Sequence, residues 1–178
     1  MRGAILLALL LGLSLPAFAA DPAPLPDGWS RGDDGTYTHD KSGVVCPPAK
    51  GPYTFVRLDG PSDPGILGVC NYSGGPARIG KIRVRSFIDG VGETPLAIQN
   101  DRGLMGMIPV QGVPAGGRPV AAYRGGPGPV IDGVQTTQFV LTSVSNGLMV
   151  DCITQSGVDA AERDFALNNF LKGCTPSK

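Results

Sequence analysis

The chain has 178 residues, including 27 glycines and 17 prolines, and its 15 lysines and arginines balance 15 aspartates and glutamates. Zero net charge, with no run of like charges, excludes a bulk nucleic-acid binder, and one histidine leaves little for imidazole-based metal or catalytic chemistry. Neither a collagen period nor an internal repeat is present.

Arg2 and the apolar run Ala4 to Leu15 read as an export signal, the run being too short to span a bilayer core. Pro16 breaks any helix, and Ala17-Phe18-Ala19 supplies the small-x-small pattern that predicts cleavage after Ala19. No cysteine follows at the cleavage point, so lipid anchoring is not expected, and no later segment approaches the ~20 apolar residues of a membrane span. The expected location is periplasmic or secreted, in a bacterial cell. Without residues 1–19 the chain keeps 159 residues, of which 25 are glycine and 16 proline. Such a proportion borders on disorder, but alternating apolar segments oppose it, and a chain of this length can bury enough surface for one core. The expected organisation is a flexible arm at 20–35 and a single α+β domain at 36–178.

Along that domain, Thr36 to His39 and Val44 to Cys46 flank Asp40-Lys41-Ser42-Gly43 and predict a hairpin. Tyr53 to Leu58 predicts a second strand unit, Asp59 to Gly65 a loop, and Ile66 to Tyr72 the next strand. Lys81 to Ile88 alternates most clearly, with Ile82, Val84 and Ile88 on one face and Lys81, Arg83 and Arg85 on the other. That is the pattern of an antiparallel sheet with one face on a core and one in water. Thr94-Pro95 is a good helix start, but Gly103 and Gly106 weaken the interior of such a helix. The Gly/Pro-rich segment 109–134 reads as a long loop with a short strand at Val120 to Tyr123. Gln135 to Val144, the hairpin dipeptide Asn146-Gly147 and Leu148 to Gln155 predict a terminal hairpin. A helix is expected from Ser156 to Lys172, with Asp159 as capping-box acid, Leu167, Phe170 and Leu171 on one side and a second stripe of Val158, Ala161 and Phe165.

Cys46, Cys70, Cys152 and Cys174 are an even set, and in an oxidising compartment two disulfides are the default. Of three possible pairings, Cys46 with Cys70 and Cys152 with Cys174 are favoured because both are local. Zinc is disfavoured by the lack of Cys-x-x-Cys or Cys/His clustering.

Few signals carry chemistry. Gly75-x-x-x-x-Gly80-Lys81 comes near a phosphate-binding loop, but Ile82 and a strand follow where Ser or Thr and a helix are needed, so the spacing reads as chance. His39 is the one candidate imidazole base. A triad would need a nucleophile and a carboxylate brought to it, and Asp40 points to the opposite strand face, so His39 reads as an exposed hairpin residue with catalysis the lesser alternative. Lys81, Arg83 and Arg85 form a basic stripe, the candidate binding surface for an acidic partner or an anionic envelope polymer; the plainer reading is a solvated face balanced by acids. Tyr53, Phe55 and Tyr72 either extend that stripe or serve the core. Arg31-Gly32-Asp33 reads as coincidence, Asp59, Asp63, Asp89 and Glu93 lack calcium-loop spacing, and Met105 with Met107 are too few for copper. No cofactor and no metal is expected.

The Tyr37-x-His39 hairpin leading into Ser42-Gly43-Val44-Val45-Cys46-Pro47, then Cys70-x-Tyr72, then the terminal hairpin and helix resemble the layout of small exported bacterial proteins. The outline is also similar to the PsbP-like α/β architecture, in which a strand pair precedes a closing helix. That resemblance implies a fold and no single activity. The fold class expected is α+β, a twisted antiparallel sheet with one face covered by a C-terminal helix and two disulfides. The function expected is a non-catalytic binding or envelope-associated module, contacting a protein or an anionic envelope component through Lys81, Arg83 and Arg85 or through the 109–134 loop. The alternatives are a small hydrolase using His39 and a secreted inhibitor-like protein.

Overall fold

The structure, a computed structural model, describes residues 24–62, 65–86, 106–109, 121–171 and 174. The leader, the Thr94-Pro95 helix start and the residues Asp63, Ile88, Asp89, Glu93 and Met105 lie outside the described residues. Among those described, eleven strands and one C-terminal helix form two antiparallel sheets. The smaller sheet is β1 (Trp29–Arg31), β2 (Tyr37–His39) and β3 (Val44–Cys46), in that order. The larger contains β4 (Ala49–Lys50), β5 (Tyr53–Asp59), β6 (Ile66–Ser73), β7 (Ile79–Arg85), β8 (Ile108–Pro109), β9 (Ala121–Ile131), β10 (Val134–Ser145) and β11 (Leu148–Gly157). Its spatial order is β4-β5-β6-β7-β11-β10-β9-β8. The chain thus meanders to β7, reappears at the far edge and meanders back until β11 lies against β7.

The terminal hairpin forms where the sequence places it. Asn146 and Gly147 both have positive φ (51° and 72°), the requirement of the two-residue turn whose twist matches the strands. The ladder then runs without a break from Ser145↔Leu148 to Thr136↔Gly157. Ile82 and Val84 of β7, Leu148, Val150 and Cys152 of β11, and Phe139 and Leu141 of β10 share one buried face. A row of aromatic contacts continues it, from Tyr37 stacked on Phe55 (4.9 Å) through Tyr72 (5.6 Å) to Phe170 (5.4 Å) and Tyr53 (4.9 Å). Tyr53, Phe55 and Tyr72 therefore serve the core, and burial pushes the Tyr72 phenol well above its usual value.

Helix α1 (Ala160–Ala166) widens into a π-helical turn, Leu167–Leu171, which delivers Phe170 and Leu171 to the core. The predicted start at Ser156 is corrected. Ser156 and Gly157 remain in β11 because Thr137 and Thr136 still pair with them, and Asp159 becomes the N-cap, its carboxylate accepting the Glu162 N–H at 2.9 Å. The second apolar stripe fails with it: Val158 precedes the helix and is exposed, as is Ala161, and only Phe165 of the three packs on the core.

Two further readings are corrected. Residues 29–31, expected within a flexible arm, form β1, because Trp29 finds a buried site beneath it. Within 109–134, expected as a loop with a short strand at Val120 to Tyr123, the strand β9 runs much further, over residues 121–131, despite Gly125-Gly126-Pro127-Gly128-Pro129. Proline fits extended backbone and lacks only its donor, and the register shifts beside Thr137 absorb the misfit. Side chains of β10 bond the β9 carbonyls there: Gln135 Nε2 donates to Gly128 O (2.6 Å), Thr136 Oγ1 to Pro129 O (2.7 Å) and Thr137 Oγ1 to Gly125 O (3.3 Å).

Both favoured disulfides are present. Cys46–Cys70 joins the small sheet to β6, and Cys152–Cys174 joins the end of the helix region to β11, in keeping with an oxidising, extracytoplasmic environment. No helix among the described residues is long and apolar enough to cross a membrane.

Candidate functional site

His39 is not the exposed hairpin residue expected; it is 3% exposed. Its cross-strand partner Trp29 lies against it with ring centroids 5.1 Å apart, and its Nδ1 sits 2.9 Å from Ser42 Oγ and accepts the Ser42 backbone N–H at 3.2 Å. Burial holds the imidazole below its usual value. Ser42 is itself fully buried, its Oγ accepting the Val44 N–H and its carbonyl accepting Ser145 Oγ. A serine enclosed in this way presents no nucleophile to a substrate, so His39 and Ser42 act as a lock within the β2–β3 turn.

The basic stripe is also not the surface expected. Lys81 is exposed, but Arg83 is only partly so and Arg85 is buried. Register explains it, since Asp151 stands opposite Arg83 between β7 and β11. Asp151 Oδ2 accepts Arg83 Nη2 at 2.8 Å and Arg85 Nε at 3.0 Å, while Oδ1 accepts Thr142 Oγ1 at 2.7 Å. Asp151, Met149 and Val140 are buried on this face as well, so the centre of the sheet is covered on both sides. Sequence reasoning missed this acid, although it interrupts an apolar strand one residue before a cysteine, a place that demands a cationic partner.

A cleft of about 370 Å³ opens elsewhere, between the β6–β7 turn, the β9–β10 tip and the first turn of α1. The near phosphate-loop motif supplies one wall, and it is a plain turn into a strand: Gly74 N–H donates to Arg78 O at 2.8 Å, and Gly80 lies in β7 against Phe170. Arg78 crosses the cleft to Glu162 through two bonds, Nε to Oε2 at 2.8 Å and Nη2 to Oε1 at 2.5 Å, and its face lies 4.0 Å over the Phe165 ring. These bonds hold the Glu162 carboxyl below and the Arg78 guanidinium above their usual ranges. With fork and face both occupied, Arg78 closes one end of the cleft as a structural cation. The remaining charged lining is acidic, Asp132 and Asp159, and the apolar part comes from Pro76, Ala77, Ile131 and Val134.

The tip itself is a two-residue turn on Asp132 and Gly133, with φ of 50° and 77°. This Asp-Gly pair is a hairpin signal in the sequence, obscured by the prolines before it. Around the turn Val130, Val134 and Val158 are 62, 41 and 54% exposed. Val158 is held beside the tip by its N–H bond to Gln135 O, and Val134 Cγ1 lies over Gly157. Among the described residues no group of three or more His, Cys, Asp or Glu is placed to hold a metal. A scan against models of protein families finds no match to this chain, and a search among curated proteins finds none either.

Proposed function

We propose that this protein is a non-catalytic, exported binding module whose contact surface is the β9–β10 tip with the adjoining cleft. The observation that carries the reading is the pair Ile131 and Val134, opposite each other on one face of the β9–β10 tip and both lining an open cleft, with Val134 41% exposed. Isolated exposed valines are ordinary, whereas apolar side chains grouped beside a cavity mark contact surfaces. Asp132 and Asp159 add negative charge there, so the partner is a polypeptide presenting apolar side chains and a basic group. Pro127 and Pro129 remove donors from β9, which disfavours recognition by strand addition and favours side-chain contacts. Export fits the two disulfides, and cleavage of the leader after Ala19 belongs to the same reading, with the periplasm as the destination. An anionic envelope polymer is a weaker partner, because Arg83 and Arg85 already converge on Asp151.

The test compares residues 20–178 with the double variant Ile131→Asp, Val134→Asp as bait for extracytoplasmic extract, scored by mass spectrometry. A partner held by the parent chain and weakened at least about tenfold by the double variant supports the reading. Equal retention by both, with unchanged circular dichroism, overturns it.

A further inference from the structure

The chain holds one histidine and one tryptophan, and the fold sets them against each other where the edge strand β1 meets β2. We propose that His39 is an acid-sensing latch: protonating its imidazole frees β1 and lifts the Trp29 indole off β6.

The hydrogen bonds define the starting state. A backbone N–H can only donate, so the Ser42 N–H at 3.2 Å requires an unprotonated Nδ1 and places the ring proton on Nε2. The Nε2 edge, already carrying its proton, faces Gly28, where an added Cβ would lie 3.5 Å from Nε2. A second proton must therefore enter at Nδ1, facing the Ser42 N–H. The Ser42 hydroxyl can rotate to accept from it, but the backbone donor cannot, and the new charge sits in a site almost closed to water. Among the described residues the charged groups that act on the ring are its chain neighbours, and they oppose each other: Asp40 favours the imidazolium and Lys41 disfavours it. Gly28 and Trp29 of the β1 segment, Ser42 of the turn and Val44 of β3 contribute no titratable group. The folded state therefore favours the neutral ring, and stability that is full above the usual imidazole value of 6.5 is lost as pH falls below it.

The anchoring decides which element yields. The β2–β3 turn is tied to the far end of the large sheet, where Ser145 Oγ donates to Ser42 O at 2.7 Å and Asn146 Nδ2 to Lys41 O at 2.8 Å. Cys46–Cys70 ties β3 to β6 covalently. β1 has three ladder pairs with β2 and no disulfide. Its main attachment is Trp29, whose Nε1 donates to Leu67 O at 3.1 Å and whose ring occupies the space over Gly68. Only glycine permits that approach, since a Cβ there would meet the indole at 2.5 Å. Freed of His39, the indole and the β6 surface around Gly68 become accessible together. An extracytoplasmic protein meets the pH of its surroundings, so this exposure follows external acidity.

The experiment titrates the disulfide-intact chain from about pH 7.5 to about pH 4.5. It follows tryptophan emission, acrylamide quenching, far-UV circular dichroism and the single imidazole C2–H resonance. The expected result is a red shift with several-fold greater quenching, a midpoint equal to that of the imidazole and below 6.5, preserved far-UV signal and no transition in His39→Gln. Several outcomes overturn the proposal: no shift, a loss of intensity without quencher access, the same transition in His39→Gln, collapse of the far-UV signal at the same midpoint, or an imidazole midpoint above 6.5. If His39→Gln fails to fold, agreement or disagreement of the two midpoints in the parent chain decides the matter.

Discussion

The two faces of β7, β11 and β10 are built on the same backbone and buried to similar depth, yet by different physics. One carries Ile82, Val84, Val150, Cys152 and Leu141 under the helix; the other carries Arg83, Arg85, Asp151 and Thr142 beside Met149 and Val140. Apolar burial is non-directional and tolerates exchange of shapes of similar volume. A buried carboxylate shared between two guanidiniums and a hydroxyl tolerates almost none, because desolvated charge is stable only while its geometry holds. The first face therefore supplies cohesion, and the second sets the register of β11 against β7.

Exchange and deletion separate the two. Asp151→Ala and Phe170→Ala should each cost about 3–5 kcal/mol in urea unfolding, the first by stripping a shared partner from Arg83 and Arg85, the second by opening a cavity. The conservative changes should diverge: Phe170→Leu restores most of the loss, whereas Asp151→Asn, equal in shape but uncharged, does not. Equal rescue at both positions would erase the distinction.

Next in size is the staple on the apolar face. Replacing Cys152 and Cys174 together by serine opens a loop with a sequence separation of 22 and should lower stability by about 3 kcal/mol in the same measurement. Gly80→Ala tests the closeness of helix and sheet. The added methyl points into the Phe170 ring, and overpacking of about 1–3 kcal/mol is expected, read as a lowered Tm. Partial relief by Phe170→Leu in the same chain would locate the clash.

The smallest effect belongs to the surface pair at the cleft. Arg78 lowers the Glu162 pKa, so its contribution is full above the usual carboxylate value of 4.5 and fades as pH falls through the lowered one. Because both side chains are about a quarter to a third exposed, Glu162→Gln should cost no more than about 1 kcal/mol at neutral pH, and nothing once the parent carboxylate is protonated. A pH-independent difference between the two chains would show that packing on Phe165, and not charge, is what matters there.

Much of the fold is legible in the residues alone. Residues 37–46, 53–59 and 135–155 carry period-two alternation and turn dipeptides, and those signals act over two to five residues. The local disulfide pairing is legible for the same reason. β9 is hidden because Pro127 and Pro129 violate strand propensity unless a neighbour such as β10 supplies side chains to nearby carbonyls, here those of Gly128 and Pro129. The helix start is masked by a strand that continues only because its partner does. At the cleft, Asp132-Gly133 is readable as a turn, but nothing in the sequence brings it to Glu162 and Asp159.

What the sequence determined by itself is the alternation of its strands, two of its hairpin turns and an even set of cysteines suited to oxidation, all consequences of local backbone sterics and short-range closure. Tertiary structure alone decided what each polar residue means. Alternation says that Arg83 and Arg85 share a face, not that Asp151 waits beside them, and hairpin chemistry says that His39 ends a strand, not that Trp29 covers it. Burial and charge pairing depend on neighbours distant in the chain, and those neighbours exist only once the sheet has closed.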